Sequence, residues 1–250
     1  MKNSNKKAII IGATSGIGLA TARQLHKDGW TLGLAGRRKE RLEEIKADLK
    51  ERVHIRQIDV CNEDADKEML ALIEEMEGVN LIFLSSGIGW QKPNLDKELD
   101  GKDVELPTVT TNGLGFTRMI TAAYRYFASK GSGHIAAISS IAGTKGLGAS
   151  PAYSATKSFQ NTYIQCLAQQ AHMNKLDICF TDIRPGFVAT DLLKGDSYPL
   201  QLNANDVAKQ IVKAIYAKKR KVVIDWRYAI LVFFWRLIPD CIWERLSIKS

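Results

Sequence analysis

Short apolar runs alternate with longer segments of helical periodicity over the first 225 residues of this 250-residue chain. Between the runs, apolar residues recur at helical spacing, as in Gly16–Asp28, Lys39–Lys50 and Glu63–Glu77. This alternation is typical of a parallel sheet with helices on both faces. It predicts an α/β fold, in which a single domain holds a doubly wound parallel sheet of about seven strands. The predicted strands are Ala8–Ile11, Thr31–Ala35, Val53–Ile58, Leu81–Leu84, Ile135–Ile138, Ile178–Ile183 and Lys221–Ile224.

The composition is that of an ordinary globular protein, with 45% apolar and 25% charged residues, and the length suits one large domain. The four cysteines lie far apart without a Cys-x2-Cys pair, and the four histidines show no ligand spacing. We therefore expect neither a disulfide framework nor a metal site, and a reducing cytoplasm fits this cysteine usage best. The first strand is too short for the apolar core of a signal peptide, so export is not expected.

The net charge of +8 lies almost entirely at the C-terminal end. Residues 1–208 carry 25 basic and 24 acidic side chains, whereas residues 209–250 carry ten and three. A nucleic-acid enzyme would have a basic body, so we predict no nucleic-acid partner. Residues 226–250 are treated as an apolar, basic extension of a domain that spans residues 1–225.

A glycine-rich turn follows the first predicted strand, in the arrangement Gly12-x3-Gly16-x-Gly18. Glycines let the backbone turn sharply and approach a pyrophosphate, which rests on the amides and the positive dipole at the N-terminus of the next helix. Strand, turn and helix in this order predict that the domain binds a dinucleotide in a Rossmann-type manner. The alternative is that the glycines serve only a tight turn.

The residues after the second predicted strand indicate which dinucleotide is bound. An NAD enzyme usually has an acidic residue there, which accepts hydrogen bonds from the adenosine ribose. This chain has Gly36-Arg37-Arg38 and no acid before Glu40. Because an arginine fork matches a phosphate, the pair predicts NADP(H), with Arg37 the first candidate for the 2′-phosphate, Arg38 the second and Ser15 a further hydroxyl. The alternative is that both arginines begin a solvated helix.

Three residues further along stand in the arrangement Ser140-x12-Tyr153-x3-Lys157. Tyr153 and Lys157 lie one helical turn apart on the same face, and Ser150-Pro151 is typical of a helix start. One ammonium about 4 Å away supplies roughly 4 kcal/mol, enough to lower a phenol pKa from about 10 to about 7. We therefore expect Tyr153 to donate a proton, Lys157 to lower its pKa, and Ser140 to hold the substrate oxygen.

The glycine turn and the Ser-Tyr-Lys set together resemble the short-chain dehydrogenase/reductase family, over about residues 6–225. The resemblance implies that Ser140 rather than Ser139 is the working serine, and that Lys157 also holds the nicotinamide ribose. It adds Asn112 as a fourth catalytic position, where the family's asparagine bends a helix and holds a water that links the lysine to solvent. A plain helix or turn asparagine is the alternative for Asn112.

The same resemblance extends the cofactor site. Asp59-Val60 is similar to the family's adenine-contacting pair, and Pro185-Gly-Phe-Val-Ala-Thr190 to its loop beside the nicotinamide carboxamide. Leu84-Ser85-Ser86-Gly87 departs from the family's Asn-Asn-Ala-Gly, which puts the side-chain bracing of the central strands in doubt more than the binding. The predicted cofactor-binding residues are Gly12, Thr14, Ser15, Gly16, Ile17, Gly18, Arg37, Arg38, Asp59, Val60, Ser86, Gly87, Tyr153, Lys157, Pro185, Gly186, Val188 and Thr190.

The resemblance implies an NADP(H)-dependent oxidoreductase that reversibly reduces a ketone or aldehyde to an alcohol. We expect the substrate pocket over the nicotinamide, at the carboxyl ends of the strands, with walls from Trp90, Leu147, Phe187 and Asp191–Asn203. These walls are apolar, which favours a hydrophobic small molecule such as a lipid or a steroid. The alternative is a sensor or scaffold that binds NADP without turnover.

The resemblance also implies self-association. Helices that match the segments Pro107–Ser129 and Ser150–His172 pair across a two-fold axis in the family, so a homodimer or a homotetramer is expected.

The tail from Trp226 to Leu246 is rich in Trp and Phe, and it follows the basic run Lys218–Lys221. Only eight uncharged residues separate Arg227 from Arg236, far short of the roughly 20 that cross a bilayer. Two interpretations remain open. The tail packs on its own subunit or a neighbour and closes the substrate pocket, or it lies on an anionic membrane as an interfacial helix. We therefore predict a cytoplasmic protein, with peripheral contact at the inner membrane face in the second case.

Overall fold

The computed structural model describes residues 6–89, 95, 103–190 and 200–246. Its strands are β1 (Lys7–Ile11), β2 (Thr31–Gly36), β3 (Val53–Gln57), β4 (Leu81–Leu84), β5 (Ser132–Ile138), β6 (Asp177–Pro185), β7 (Val188–Ala189), β8 (Leu202–Asn203) and β9 (Lys221–Ile224). Its α-helices are α1 (Gly16–Lys27), α2 (Lys39–Leu49), α3 (Ala65–Glu75), α4 (Glu105–Val109), α5 (Phe116–Lys130), α6 (Pro151–Met173), α7 (Ala204–Tyr216), α8 (Trp226–Leu237) and α9 (Asp240–Trp243). A π-helical turn (Thr110–Gly115) joins α4 to α5, and a 3₁₀ turn (Ile141–Gly143) follows β5.

Seven strands form one parallel sheet in the order β3-β2-β1-β4-β5-β6-β9, which confirms the predicted single α/β domain with a Rossmann-type sheet. The alternation of side chains along β1 shows how both faces are buried. Ala8 and Ile10 belong to the same core as residues of α1, α2 and α7. Ile9 and Ile11 belong to a second core, with residues of α3, α5 and α6. The apolar runs of the sequence are apolar because both faces of the sheet are covered.

The order of the strands reverses at β1, which lies between β2 and β4. Ile11 at the end of β1 is in register with Ala35 on β2 and Leu84 on β4. The segments that follow these strands therefore leave the sheet at one edge. In a doubly wound sheet such a reversal opens the crevice in which ligands bind.

The strand bounds differ from the prediction where the apolar pattern is interrupted. β5 begins at Ser132 instead of Ile135, and β6 continues to Pro185, because these residues pair through the backbone whatever their side chains. β7 and β8 were not predicted. They contain two residues each and pair Val188 with Leu202, and runs so short leave no periodic signal.

The long helix α6 begins at Pro151, as predicted, but its cap differs from the expected one. Ser150 occupies the N-cap position without a side-chain capping bond. Glu105, at the start of α4, accepts a hydrogen bond from the amide of Ala152 at 3.0 Å. A carboxylate near a helix N-terminus is favoured by the helix dipole. Within the described part of the chain, no helix combines the length and the hydropathy needed to span a membrane.

Candidate active site

The predicted glycine turn is held tightly against the ends of β2 and β4. The amides of Gly12 and Ala13 both donate to the carbonyl of Ala35, each at 2.9 Å. Gly12 has a φ of +90°, and a Cβ there would lie 2.6 Å from the backbone nitrogen of Ser86. A Cβ at Gly18 would lie 2.2 Å from the carbonyl oxygen of Gly12. Neither glycine can therefore be replaced without moving the turn.

The N-terminus of α1 is open to an anion. Ser15 occupies the N-cap position without a side-chain capping bond, and the first turn contains no acidic residue. The first amides of a helix have no intrahelical acceptor, so they and the helix dipole favour a phosphate. Thr190 lies against this turn, since a Cβ at Gly16 would be 3.1 Å from Thr190 Cγ2. Ile17 packs on the core of the sheet. These residues fit the pyrophosphate of a dinucleotide.

Arg38, rather than Arg37, lies over the glycine turn. Its guanidinium donates to the hydroxyl of Thr14 at 2.9 Å and to that of Ser15 at 2.8 Å. Arg37 instead lines an open cleft together with Asp59. Successive residues at the end of a strand project to opposite sides, which separates the two arginines. The geometry thus favours Arg38 for a phosphate at this turn, the reverse of the order expected from the sequence.

Asp59 and Val60, which follow β3, take different environments. Asp59 lines the cleft, and its Oδ1 accepts from the amide of Cys61 at 3.0 Å. Val60 is buried in the core against Gly115, and its carbonyl accepts from Arg118 Nη1 at 3.0 Å. Asp59 can therefore reach a ligand in the cleft, whereas the side chain of Val60 cannot.

Asn112 is fully buried in the π-helical turn between α4 and α5. Its side chain binds the segment after β4, because Oδ1 accepts from the amide of Ile88 at 2.9 Å and Nδ2 donates to the carbonyl of Ile88 at 2.7 Å. Gly87 lies against the same group. A Cβ at Gly87 would be 3.2 Å from Asn112 Oδ1 and 3.6 Å from Lys157 Nζ. Asn112 thus holds the segment after β4, with Gly87, beside Lys157.

Gln160 on α6 links Asn112 to Lys157 and was not predicted. It is fully buried, its Oε1 accepts from Lys157 Nζ at 2.9 Å, and its Nε2 donates to the carbonyl of Asn112 at 2.9 Å. The resemblance led us to expect a water held by the asparagine and linked to the lysine. The side chain of Gln160 connects the Asn112 carbonyl to the lysine, and the water stays a prediction. The sequence did contain a signal for Gln160, because a polar residue three positions after Lys157 lies on the same helix face.

Lys157 is buried, with its ammonium at the end of β5. Nζ donates to the carbonyl of Ile138 at 3.1 Å in addition to its bond with Gln160. Burial lowers the pKa of Lys157 to about 8, and the carboxylate of Asp182 opposes that shift. The lysine can therefore exchange a proton in weakly alkaline solution.

The two adjacent serines after β5 have different partners. Ser140 caps the 3₁₀ turn through its Oγ, which also lies 3.5 Å from the carbonyl oxygen of Pro185. Ser139 is fully buried and donates to Asp182 Oδ1 at 2.5 Å. Asp182 also accepts from Arg184 Nε at 2.7 Å. Ser139 is therefore part of a buried ion-pair cluster, which leaves Ser140 as the serine available to a substrate.

Tyr153 lies in the first turn of α6, beside Ser140. Burial raises the pKa of its phenol, and a hydrogen bond with the Ser140 side chain opposes the rise. Lys157 Nζ lies 5.5 Å from the centre of the tyrosine ring. The pKa is therefore raised and not lowered as expected, because desolvation outweighs the hydrogen bond from Ser140. The phenol keeps its proton at neutral pH.

The predicted nicotinamide loop after β6 is held from outside by the tail. A Cβ at Gly186 would lie 2.2 Å from Tyr228 Cζ of α8. The hydroxyl of Tyr228 accepts from the amide of Phe187 at 3.2 Å and donates to the carbonyl of Leu200 at 3.2 Å. Val188 is buried within β7. The conformation of this loop thus depends on the packing of α8.

The loop that follows the 3₁₀ turn is held by the tail as well. Trp243 of α9 is buried, and its Nε1 donates to the carbonyl of Gly146 at 2.6 Å. Lys145 Nζ donates to the carbonyl of Ile238 at 2.9 Å and forms an ion pair with Asp240. The tail therefore packs on its own subunit and contacts both the loop after β6 and the loop after the 3₁₀ turn.

The predicted pocket walls are described in part. Leu147 and Phe187 lie partly buried in the two loops that the tail contacts. Trp90 and residues 191–199 lie outside the described residues.

Two further residues of the site carry no motif signature. Asp182 interrupts the apolar run of β6, and a charged residue within a buried strand is itself a signal of a partner nearby. Tyr228 reaches the nicotinamide loop from 41 residues away, which no local pattern encodes.

Residues 6–199 match the family model described as short chain dehydrogenase. An uncharacterized oxidoreductase of Listeria monocytogenes is 35% identical over 199 residues, which cover 78% of this chain and 79% of the relative. A short chain dehydrogenase/reductase from Burkholderia phymatum, solved in complex with NAD, has a TM-score of 0.83 at 19% identity and covers 100% of this chain and 99% of its own. A serine dehydrogenase complexed with NADP+ has a TM-score of 0.75 at 27% identity, over 87% of this chain and 94% of its own. The family match and the oxidoreductase relative show that the chain belongs to the short-chain dehydrogenase family and is an oxidoreductase.

Proposed function

We propose that the protein is an NADP(H)-dependent enzyme that reversibly reduces a ketone or aldehyde of a hydrophobic substrate to an alcohol. The observation that supports this most is the convergence of Ser140, Tyr153 and Lys157 at the carboxyl edge of the sheet. The Ser140 side chain is close enough to Tyr153 to oppose the rise of its pKa, and Lys157 lies beside both the tyrosine ring and Gly87. A proton donor, an oxygen-binding hydroxyl and a buried amine in contact are the groups that carbonyl reduction needs.

The roles follow from the positions of the hydroxyls. NADPH supplies the hydride when it is bound. Tyr153 donates the phenolic proton to the substrate carbonyl oxygen in reduction, and accepts it from the alcohol in oxidation. Because burial raises its pKa, the phenol carries that proton at neutral pH. Ser140 donates a hydrogen bond to the same oxygen and stabilises its developing negative charge.

Lys157 replaces the proton that Tyr153 gives up. With a pKa lowered to about 8, its ammonium is a stronger acid than an exposed lysine and lies beside the tyrosine ring. Gln160 orients the ammonium, and the carbonyl of Asn112 orients Gln160. Lys157 would also hold the nicotinamide ribose when the cofactor is bound.

NADP(H) is the proposed cofactor because Arg38 lies at the glycine turn with its guanidinium on the Thr14 and Ser15 hydroxyls. A phosphate added at this point meets a planar cation and two hydroxyls. Gly36 leaves the end of β2 without a carboxylate that would repel the phosphate. Arg37 contributes from the cleft side, where it lines the wall with Asp59.

Cofactor titrations test this preference. We expect Arg38→Ala to weaken NADPH binding about 10- to 100-fold, since it removes a charge-assisted hydrogen bond, and to leave NADH binding nearly unchanged. Arg41→Ala is the matched control, because Arg41 lies three residues further along in the first turn of α2 and pairs with Glu44 at the surface. Equal affinity of the unmutated protein for NADH and NADPH would show that the arginine does not select the cofactor.

A hydrophobic substrate is proposed from the two described walls. Leu147 and Phe187 are partly buried side chains in the loops that flank Tyr153. Apolar walls around a few fixed polar groups are the usual composition of a small-molecule site. Lipids, steroids and similar carbonyl compounds share this chemistry.

A homodimer or homotetramer is proposed from the surface of the helical layer around α6. Val109, Leu114 and Phe159 are exposed large apolar residues on this layer. Exposed apolar clusters of this kind mark protein interfaces. A monomer in light scattering at micromolar concentration would contradict this assembly.

A cytoplasmic location is proposed because all four cysteines are free thiols. Thiols persist in reducing compartments, whereas oxidising ones favour disulfides.

Turnover tests the proposed function. The purified protein is incubated with NADPH and a panel of hydrophobic ketones and aldehydes, and the loss of reduced nicotinamide absorbance is followed. We expect oxidation of NADPH with at least one class of compound, and the reverse reaction with the matching alcohol. NADPH binding without oxidation across the panel would instead indicate a sensor or scaffold.

A further inference from the structure

The outward face of α8 carries a stripe of large apolar residues, which we call the α8 stripe. They are between 49% and 70% exposed, whereas Tyr228 and Val232 on the opposite face are buried in the domain. At about 3.6 residues per turn, the members of the stripe lie within roughly 100° of the helix circumference. The α8 stripe consists of Trp226, Ile230, Phe233, Phe234 and Leu237.

Cations flank the α8 stripe on both sides. Arg227 and Arg236 lie on opposite edges of it around the helix, and α8 itself contains no acidic residue. Arg227 is paired with Asp225 at 2.9 Å. On the other edge, burial and the charges of Arg184, Arg236 and Arg220 lower the pKa of Lys221, and Asp182 opposes that shift. Arg184 is buried and paired with Asp182, so the exposed cations on this side are Arg236 and the run Lys218–Lys221. A cluster of like charges beside an apolar surface favours an anionic partner.

We propose that α8 docks on the surface of an anionic lipid bilayer. The α8 stripe enters the interfacial region, and Arg236 with the exposed run Lys218–Lys221 faces the lipid phosphates. Trp and Phe suit this depth, because aromatic side chains are favoured where apolar and polar layers meet. The helix lies in the plane of the surface and does not cross it.

A second copy of the chain fits the α8 stripe less well. Two-fold packing of α8 on itself would bring the arginines of one copy towards those of the other. The helix offers no carboxylate to pair with Arg236, and an unpaired cation at a dry interface is costly. Lipid phosphates supply the negative charge that α8 of a second copy lacks.

The tail that carries the α8 stripe also contacts the two loops of the proposed pocket. Tyr228 on the inner face of α8 binds Phe187, and Trp243 binds Gly146. Docking would therefore place the pocket loops close to the bilayer, where a lipid-soluble substrate is concentrated. This consequence rests on the proposed function, but the docking itself does not.

Vesicle sedimentation of the full-length protein tests the docking. The vesicles contain phosphatidylcholine alone or phosphatidylcholine with phosphatidylglycerol. We expect the protein to sediment with the anionic vesicles at low salt, to sediment less at high salt because the charges are screened, and to stay in solution with phosphatidylcholine alone. A protein that stays in the supernatant with anionic vesicles at low salt overturns the proposal.

Two double variants test whether vesicle binding depends on the α8 stripe or on exposed apolar residues anywhere on the surface. Phe233→Ser with Leu237→Ser should lower the partition coefficient at least about tenfold, because two large apolar side chains leave the interface. Leu70→Ser with Met173→Ser is the matched control, since these residues are 41% and 72% exposed elsewhere on the surface. It should leave the partition coefficient unchanged. An equal loss in both double variants overturns the proposal.

The remaining readouts distinguish the alternatives. Circular dichroism and NADPH binding confirm that each variant is folded. If the stripe variant sediments like the unmutated protein but dissociates an oligomer in light scattering, a second copy covers the stripe and the membrane proposal is wrong. Turnover of the panel of hydrophobic ketones and aldehydes is measured on the same samples without vesicles. An active protein that does not bind vesicles contradicts the docking alone, and an inactive one that binds contradicts the proposed function alone.

Discussion

The helices α6 and α8 depart from the usual relation between burial and polarity in opposite directions. On α6, Lys157 and Gln160 are polar and nearly inaccessible to solvent. On α8, Phe233 and Leu237 are apolar and mostly exposed. Globular proteins usually bury large apolar residues and expose charged and polar ones. Both departures carry a cost, so each indicates a part of the surface or interior that serves something other than folding.

The two helices differ in whether these residues have an interaction partner within the chain. The buried groups on α6 have partners within the chain, since Lys157 bonds Ile138 and Gln160. The exposed groups on α8 have none among the described residues that would shield them. A satisfied buried network points to chemistry within the protein, and an uncovered apolar stripe points to a partner outside it.

The largest expected effect is a difference in turnover between a variant on α6 and a variant on α8. We expect Tyr153→Phe on α6 to fold and to bind NADPH, yet to lose about 10²- to 10⁴-fold in turnover, because the proton donor is gone. Phe233→Ser on α8 should keep normal turnover of a soluble ketone. Steady-state rates of the two variants make the comparison, and near-normal turnover by Tyr153→Phe would remove the tyrosine from the mechanism.

The next effect is a pH dependence of stability due to Lys157. Its pKa falls from 10.5 to about 8 on folding. Between these values the unfolded chain binds more protons than the folded one, so this residue makes the protein more stable as pH rises. The full contribution is about 3 kcal/mol, and it is complete only above the unfolded pKa.

Urea unfolding at several pH values measures this contribution. Lys157→Met keeps an apolar side chain of similar length but cannot titrate. The difference in free energy of unfolding between the unmutated protein and the variant should shift in favour of the unmutated protein as pH rises above about 8. Parallel curves for the two proteins would show that the amine is not held in a perturbed state.

A smaller effect tests the link between Lys157 and Asn112. Gln160→Leu removes one acceptor from the ammonium and one donor to the Asn112 carbonyl, which should cost about 1–3 kcal/mol. The pKa of Lys157 should fall further, so the alkaline limb of the pH–rate profile should move to lower pH. Gln165→Leu is the control, because Gln165 lies exposed on the same helix. An unmoved profile in Gln160→Leu would reduce the role of this residue to packing.

The smallest effect concerns the α8 stripe and stability. We expect Phe233→Ser to change the free energy of unfolding by no more than about 0.5 kcal/mol, because the side chain is exposed. Val232→Ala, the buried neighbour, should cost roughly 1–3 kcal/mol through the cavity that it leaves. A large loss of stability in Phe233→Ser would mean that the stripe is part of the fold.

The fold and the catalytic motif were predictable because local patterns encode them. The seven apolar runs predicted the strands of the sheet, and the glycines of the first turn predicted where α1 begins. Ser140, Tyr153 and Lys157 were found by spacing, and the structure brings them together. Asn112 came from the family resemblance, and the structure buries it beside the lysine.

The remaining features depend on tertiary contacts that spacing does not encode. The raised pKa of Tyr153 reflects burial, which a count of nearby charges does not include. The cap of α6 comes from Glu105, far from Ser150 in sequence. The choice of Arg38 over Arg37 depends on which way each side chain leaves the strand. The packing of the tail could not be predicted from the sequence, because both faces of α8 are apolar. The sequence does not show which face packs on the domain.

We propose above that Tyr153 and its neighbours reduce a carbonyl with hydride from NADPH. This proposal is tested most directly by supplying NADPH deuterated at the transferable position of the nicotinamide with a hydrophobic ketone. The product is then analysed by mass spectrometry. We expect an alcohol that carries one deuterium on the former carbonyl carbon, formed by the unmutated protein and barely by Tyr153→Phe. Tight binding of NADPH with no labelled alcohol from any ketone of the panel, or equal labelling by both proteins, would contradict the proposal.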